Sequence, residues 1–276
     1  SSLAWLRIEG CPSLSSFPEM GLPSMLTHLT IEECEALEFL PEGMMHNNTN
    51  LEYLCVSGCS SLLSFPEGPE SSVRGLPTSH LKSFMINDCE NLCSLPDVMH
   101  NFSSLQELRV YECPALVDFP EGGLPDNLIS LWIENCENLN SLPNRMIDLS
   151  SLQELYIKGC PSIMVFPEGG LPTNLESLRI MNCENLMPWL GMQLQKLVSL
   201  RNFSIRGCQG LLSFPGEWLL PTSLTSLCIS GLPDLKTLSE GFQQLTSLEK
   251  LEIIECNKLL SLPEEGLPSS LSYLEI

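Results

Sequence analysis

The stretch Leu152–Pro167, LQELYIKGCPSIMVFP, decides the fold because its pattern returns along the whole chain. Reduced to its fixed positions, the stretch reads L-x-x-L-x-I-x-x-C-x-x-[LI]-x-x-[FL]-P. The first leucine of the pattern recurs at intervals of 23 to 30 residues, at Leu3, Leu26, Leu51, Leu81, Leu105, Leu128, Leu152, Leu175, Leu200, Leu224, Leu248 and Leu271. One structural unit is therefore repeated, and such units bury their apolar faces only by stacking on one another.

Within each unit, apolar and polar side chains alternate as they do in a half-buried β-strand. Leu155 and Ile157 are predicted to point inward, and Tyr156 and Lys158 outward. Each strand returns to the same edge after a covering segment, so neighbouring strands must be parallel. This pattern and period are the leucine-rich-repeat signature. The predicted fold is an α/β-type repeat solenoid, a leucine-rich-repeat horseshoe whose concave side is a parallel sheet of about 12 short strands.

The covering segments are predicted to form a convex side of loops, 3-10 turns and short helices. Phe119–Pro125 and Phe166–Pro172 both read FPEGGLP, which excludes a helix because of the prolines and glycines. Other units run through an L-S-S-L or L-T-S-L step, as in Met146–Leu152, where one or two turns of 3-10 helix or α-helix fit. Glu67–Pro77 is an insertion that we interpret as a protruding loop, and Trp189 is expected to fill a core position.

Residues 1–276 are expected to form a single solenoid of about 11.5 repeats. Solenoids need polar capping units at their ends, and neither end of this sequence contains one. Both ends are therefore interpreted as truncations of a longer repeat array.

Charge limits the classes of partner. The chain has 13 basic and 34 acidic residues, which gives a net charge of −21. Such a charge repels phosphate backbones, so no nucleic-acid partner is expected. No apolar run approaches the ~20 residues that a membrane-spanning helix needs, so no membrane partner is expected either.

The cysteines indicate buried thiols rather than disulfides. Ten of the 13 occupy one repeat position: Cys11, Cys34, Cys59, Cys89, Cys113, Cys136, Cys160, Cys183, Cys208 and Cys256. A cysteine that recurs once per repeat inside an apolar pattern is typical of a small buried hydrophobic residue. We therefore expect a reducing compartment, either the cytoplasm alone or both the cytoplasm and the nucleus.

No catalytic or cofactor motif occurs in the sequence. The four histidines share no spacing typical of a metal site. In the pair Cys55 and Cys59, the two side chains are predicted to point in opposite directions, which argues against a zinc site. We therefore expect no cofactor, no metal and no enzymatic activity.

The outward strand positions are the remaining candidates for function. Four consecutive units place Arg109, Trp132, Tyr156 and Arg179 in one column on the concave face. Trp, Tyr and Arg dominate the binding energy of protein interfaces. The predicted protein-binding residues are Arg109, Tyr111, Trp132, Tyr156, Lys158, Arg179, Met181, Arg201 and Arg206. A basic and aromatic centre between acidic ends suits a protein ligand that has an acidic patch. The alternative is that these side chains only stack on one another and stiffen the sheet.

The repeats resemble those of plant intracellular NB-LRR disease-resistance proteins, most closely the coiled-coil class. Cys89–Pro96 reads CENLCSLP, Cys136–Pro143 reads CENLNSLP and Cys113–Gly122 reads CPALVDFPEG. The resemblance implies a domain that recognises a pathogen effector or a guarded host protein. It also implies an intramolecular contact with a nucleotide-binding domain outside this chain, through which the repeats contribute to autoinhibition.

Two other families use similar repeats. F-box adaptors of ubiquitin ligases also have cysteine-type repeats, but their units are longer and carry an I-[TS]-D-like step that is absent here. Bacterial ubiquitin-ligase effectors share an L-P-x-x-L-x-x-L rhythm with Gly123–Leu131, although their repeats are shorter and carry Asn in place of Cys. A domain with a P-loop upstream of the repeats would favour the resistance proteins, and an F-box would favour the adaptors.

Overall fold

A computed structural model describes residues 2–17, 22–41, 44, 50–66, 80–215, 219–238, 241–263 and 265–276. The strands within these ranges are β1 (Trp5–Glu9), β2 (His28–Glu32), β3 (Tyr53–Ser57), β4 (Ser83–Asn87), β5 (Glu107–Tyr111), β6 (Ser130–Glu134), β7 (Glu154–Lys158), β8 (Ser177–Met181), β9 (Asn202–Arg206), β10 (Ser213–Phe214), β11 (Ser226–Ser230), β12 (Thr237–Leu238), β13 (Lys250–Ile254) and β14 (Tyr273–Glu275).

Twelve of the described strands form one sheet, in the order β1-β2-β3-β4-β5-β6-β7-β8-β9-β11-β13-β14. Neighbouring strands are parallel and paired without a shift, so that Tyr156 lies beside Trp132 on one side and beside Arg179 on the other. Leu155 and Ile157 are buried, as the alternation predicts. The predicted horseshoe with its concave parallel sheet is therefore confirmed. A second, two-stranded sheet pairs β10 with β12 outside the concave face.

The residue directly before the cysteine position turns the chain out of each strand. In eleven units of the described chain this residue has a positive φ angle, and it is Gly, Glu, Asp or Asn, as in Glu112 (φ 50°) and Gly159 (φ 62°). In ten of these units its backbone N–H donates to the carbonyl oxygen of the last residue of the next strand, for example from Glu112 to Glu134 at 2.9 Å. The left-handed conformation is least costly for Gly, which explains why Gly is the most frequent residue at this position.

The cysteine position lies in the core. Its residues are buried in eight units, from Cys34 to Cys208, and Leu232 is buried where it replaces cysteine. All 13 cysteines are free thiols. The interpretation of these cysteines as core residues is thus confirmed for the inner units, whereas Cys11 in the first unit is exposed and Cys256 is half-buried.

The covering segments contain little helix. The described helices are the 3-10 helices Asp97–Asn101, Met146–Asp148, Glu184–Leu186 and Phe242–Gln244, and the α-helix α1, Met187–Leu194. Three of the 3-10 helices directly precede or overlap an L-S-S-L, F-S-S-L or L-T-S-L step, where short helical turns were predicted. Both FPEGGLP segments are free of helix, also as predicted. The predicted loop Glu67–Pro77 lies outside the described residues.

The prediction for Trp189 is wrong, because its side chain is 46% exposed. The segment from Met187 forms a helix with Pro188 in its first turn, where proline is well tolerated. The helical period places Met187, Leu190 and Leu194 on the buried face. Trp189 lies on the opposite face, so Leu190 occupies the core position instead.

Within the described ranges, no helix has the length and apolar character needed to cross a membrane.

Candidate protein-binding surface

Three columns of side chains cover the concave face, one for each outward position of the five-residue strands. The strand register aligns the central column as Arg7, Thr30, Cys55, Met85, Arg109, Trp132, Tyr156, Arg179, Ser204, Cys228, Glu252 and Glu275. The predicted neighbourhood of Arg109, Trp132, Tyr156 and Arg179 is therefore present. Cys55 is in the outward register as predicted, yet it is only 4% exposed.

The centre of this column is a continuous stack. The Arg109 guanidinium lies 5.4 Å from the centre of the Trp132 ring. The ring centres of Trp132 and Tyr156 are 4.9 Å apart and their planes are tilted by 47°. The Tyr156 hydroxyl donates to the Met181 sulfur at 3.7 Å. These contacts leave Trp132 and Tyr156 half-buried, and burial raises the pKa of the Tyr156 phenol. Each stacked pair contributes roughly 0.5–1.5 kcal/mol beyond its buried area.

Three of the five predicted basic residues have carboxylate partners: one on the neighbouring strand, one on the same strand and one directly after β13. Lys158 Nζ donates to Glu134, and this hydrogen bond raises the pKa of the ammonium group. Arg109 Nε donates to Glu107 at 2.8 Å. Arg206 forms a longer ion pair with Glu255, at 3.5 Å. The positive charge that the sequence places at the centre is therefore largely compensated within the sheet.

Arg179 differs from the other cations of the concave columns. Its side chain is exposed. Among the described residues of these columns, it is the cation without a carboxylate within ion-pair distance. Arg201 also lacks an ion pair, but it precedes β9 by one residue and lies at the edge of the sheet rather than in a concave column. The structure thus separates Arg201 from the other predicted residues.

A depression of about 280 Å³ adjoins Arg179 on the concave face. Its floor contains Ser204, Ser226 and Cys228, and its far wall contains Lys250 and Glu252. The depression exists because the central column changes from large side chains to Ser and Cys in β9 and β11. We call this depression the notch. It lies at the end of the aromatic stack.

Comparison with known proteins supports the same fold. No protein-family profile matches the chain. A candidate disease-resistance protein of Arabidopsis thaliana is 39% identical over 134 residues, which are 48% of this chain and only 9% of that protein. The leucine-rich-repeat domain of the type III effector XopL is 27% identical, with a TM-score of 0.62 over 80% of this chain and 75% of that domain. The chain folds as a leucine-rich-repeat domain. A leucine-rich-repeat protein of Leptospira interrogans matches with a TM-score of 0.38, at 18% identity over 97% of this chain and 82% of its own.

Leucine-rich-repeat domains are protein-interaction scaffolds, whose repetition creates an extended concave surface for a partner. In this leucine-rich-repeat domain, no three His, Cys, Asp or Glu side chains of the described residues are arranged to hold a metal ion. The side chains on the concave face can stack, form ion pairs and form hydrogen bonds with a partner.

Sequence reasoning missed a second group of aromatic side chains on the leucine-rich-repeat domain. Trp5 and His28 stack with ring centres 3.7 Å apart and planes within 7°, and His28 lies 5.9 Å from Tyr53. All three occupy the first outward position of their strands. A search of that column, in addition to the two columns that follow it, would have found them. The notch was also missed, because only the large side chains of the central column were considered. The adjacent small residues Ser204 and Cys228 were the signal that could have predicted it.

Proposed function

We propose that this leucine-rich-repeat domain is the recognition module of a plant intracellular immune receptor of the coiled-coil NB-LRR class. It acts in the cytoplasm by binding a pathogen effector or a guarded host protein, without catalysing a reaction. It also contributes to autoinhibition of the receptor through contact with a nucleotide-binding domain outside this chain. The CENLxSLP-type repeats and the Arabidopsis relative support this proposal.

The observation that carries the binding role is the stack Arg109–Trp132–Tyr156 with Arg179 beside it. Arg, Trp and Tyr are the residues most often responsible for interface energy, and they act in clusters near the centre of an interface. Here the stack is held by the rigid parallel sheet, so a partner that binds it loses little conformational entropy in ordering the surface. The fold itself needs only the inward positions, such as Leu155 and Ile157.

The test replaces Arg109, Trp132, Tyr156 and Arg179 together by alanine. Binding is measured against pathogen effectors and host proteins from the plant of origin, first by two-hybrid selection and then by Kd with each purified partner. A partner is expected to lose at least a hundredfold in affinity, since single central residues of this kind contribute ~2 kcal/mol or more. Circular dichroism and urea unfolding establish that the variant remains folded.

The matched control replaces exposed residues of similar size and charge outside the concave strands: Phe39, Arg145, Trp189 and Lys196. The control variant is expected to retain the parent's affinity. If the concave variant is folded and binds every partner as well as the parent does, the proposed surface is wrong.

The class of the parent protein is tested by its full-length reading frame. A nucleotide-binding domain with a P-loop is expected upstream of the repeats. If an F-box is found there instead, the chain is the substrate-recognition part of a ubiquitin-ligase adaptor, and the proposal of an immune receptor fails.

A further inference from the structure

The notch offers one unpaired cation to a partner. Around it, Lys250 pairs with Glu252 at 2.9 Å and Arg206 pairs with Glu255 at 3.5 Å. Arg179, at the near wall, has no such carboxylate among the described residues. In a chain with 34 acidic and 13 basic residues, this exposed guanidinium is available to pair with a carboxylate of a partner.

The geometry of the notch suits a single side chain. Its volume of about 280 Å³ is below the range of ~300–1,000 Å³ that is typical of small-molecule pockets. The hydroxyls of Ser204 and Ser226 and the half-buried thiol of Cys228 leave the floor small and weakly polar. The aromatic stack ends beside it, so a segment that packs on Tyr156 can extend into the notch.

We propose that the notch receives one Asp or Glu side chain of the protein partner, whose carboxylate pairs with the Arg179 guanidinium. This inference rests on the proposed binding role of the concave face. A guanidinium binds a carboxylate through two parallel hydrogen bonds, which fixes the orientation of the partner as well as adding affinity.

The acidic neighbours of the notch select for a ligand with a single negative charge. Glu252 lines the notch itself, and Glu255 lies beside Arg206. A phosphate group with nearly two charges would be repelled more strongly by these carboxylates and by the net charge of −21. One carboxylate carries half that charge, so the same neighbours repel it less while it pairs with the guanidinium.

The experiment uses random 12-residue peptides displayed on phage, selected on the 276-residue chain. Each displayed peptide is joined to the coat protein at its C-terminus, so an acidic preference must come from Asp or Glu side chains and not from a chain end. Selected peptides are then synthesised with an amidated C-terminus, and their Kd is measured by fluorescence anisotropy.

An acidic residue is expected at a constant distance from an apolar residue in the selected peptides. Arg179→Gln in the protein, and Glu→Gln or Asp→Asn in the peptide, are each expected to weaken binding at least tenfold. Combining both changes is expected to add little further loss, because each change removes the same ion pair. Arg145→Gln is the matched control, since it removes an exposed guanidinium outside the concave strands, and it is expected to change Kd less than threefold.

Cys228 reports whether the peptide occupies the notch. Bound peptide is expected to slow alkylation of Cys228 by iodoacetamide at least fivefold, and to leave alkylation of the exposed Cys93 unchanged. If Cys228 is not protected, the peptide binds elsewhere and the notch is not its site.

The outcomes separate this inference from the proposed function. If peptides lose affinity on Trp132→Ala but not on Arg179→Gln, the concave face binds and the acidic subsite is wrong. If neither substitution has an effect, the proposed binding surface itself is wrong. A selection that yields no binding peptide, or binders without an acidic preference, also overturns the acidic subsite.

Discussion

Cys89 and Cys93 lie four residues apart, yet their thiols are predicted to differ strongly in reactivity. Cys89 occupies the core cysteine position and is fully buried, with its sulfur 3.4 Å from the Asn87 carbonyl oxygen. Cys93 lies on the surface. Burial raises the pKa of the Cys89 thiol from 9.0 to about 12. Because only the thiolate is nucleophilic, this shift alone suppresses reaction at Cys89.

The size of the effect follows from the shift of about three pKa units. At pH 8 the thiolate fraction of Cys89 is about a thousandfold lower than that of a thiol with the ordinary value. Because Cys89 is buried, iodoacetamide also reaches its thiol less easily, which lowers the alkylation rate further. Iodoacetamide is therefore expected to alkylate Cys93 at least about a hundredfold faster than Cys89 in the folded protein. In 8 M urea the two rates are expected to agree within about threefold.

The assay follows alkylation of each cysteine with time by tandem mass spectrometry, which distinguishes the two sites within one peptide. The variant Cys93→Ser should lose the fast reaction and retain the slow one. If Cys89 reacts within tenfold of Cys93 in the folded protein, or if the two form a disulfide, the assignment of the repeated cysteine to the core is refuted.

Three further predictions concern stability, measured by urea unfolding. Leu155→Ala should lower the free energy of unfolding by ~2–5 kcal/mol, because Leu155 is buried in the core. Lys158→Ala in the same strand should lower it by less than ~1 kcal/mol, because Lys158 only forms an ion pair at the surface. Equal losses would contradict the assignment of the two residues to opposite faces of the sheet. Gly58→Ala should lower the free energy of unfolding more than Gly10→Ala does. Both glycines have a positive φ, but a Cβ at Gly58 would lie 3.2 Å from the Glu33 backbone nitrogen, whereas a Cβ at Gly10 would meet no atom within 4 Å. Equal losses would contradict this contact. Stability should fall between pH 9 and 11, by up to ~1.4 kcal/mol per pH unit per thiol, because buried thiols keep protons that unfolded thiols lose; a flat profile would contradict their burial. The thiols concerned have pKa values raised to about 11 or 12 and are Cys59, Cys89, Cys183 and Cys208.

The fold was predictable from the sequence because the repeat leaves few alternatives. Leu155 and Ile157 alternate with Tyr156 and Lys158 in a strand, and the same alternation in every unit aligns equivalent positions across the sheet. Trp189 shows where this reasoning failed. The segment forms a helix, and the helical period of 3.6 residues places the tryptophan on the surface instead of in the core.

For the candidate site, the sequence determined which side chains share a column and in what order. It did so because backbone pairing and an alternation of two residues depend only on the pattern within each unit. Only the tertiary structure decided which charges are compensated, since Glu134, Glu107 and Glu255 reach their partners through side-chain conformations. It also decided that Arg179 stays unpaired beside the notch. Both results depend on the sizes and orientations of side chains in several units at once, which no single repeat encodes.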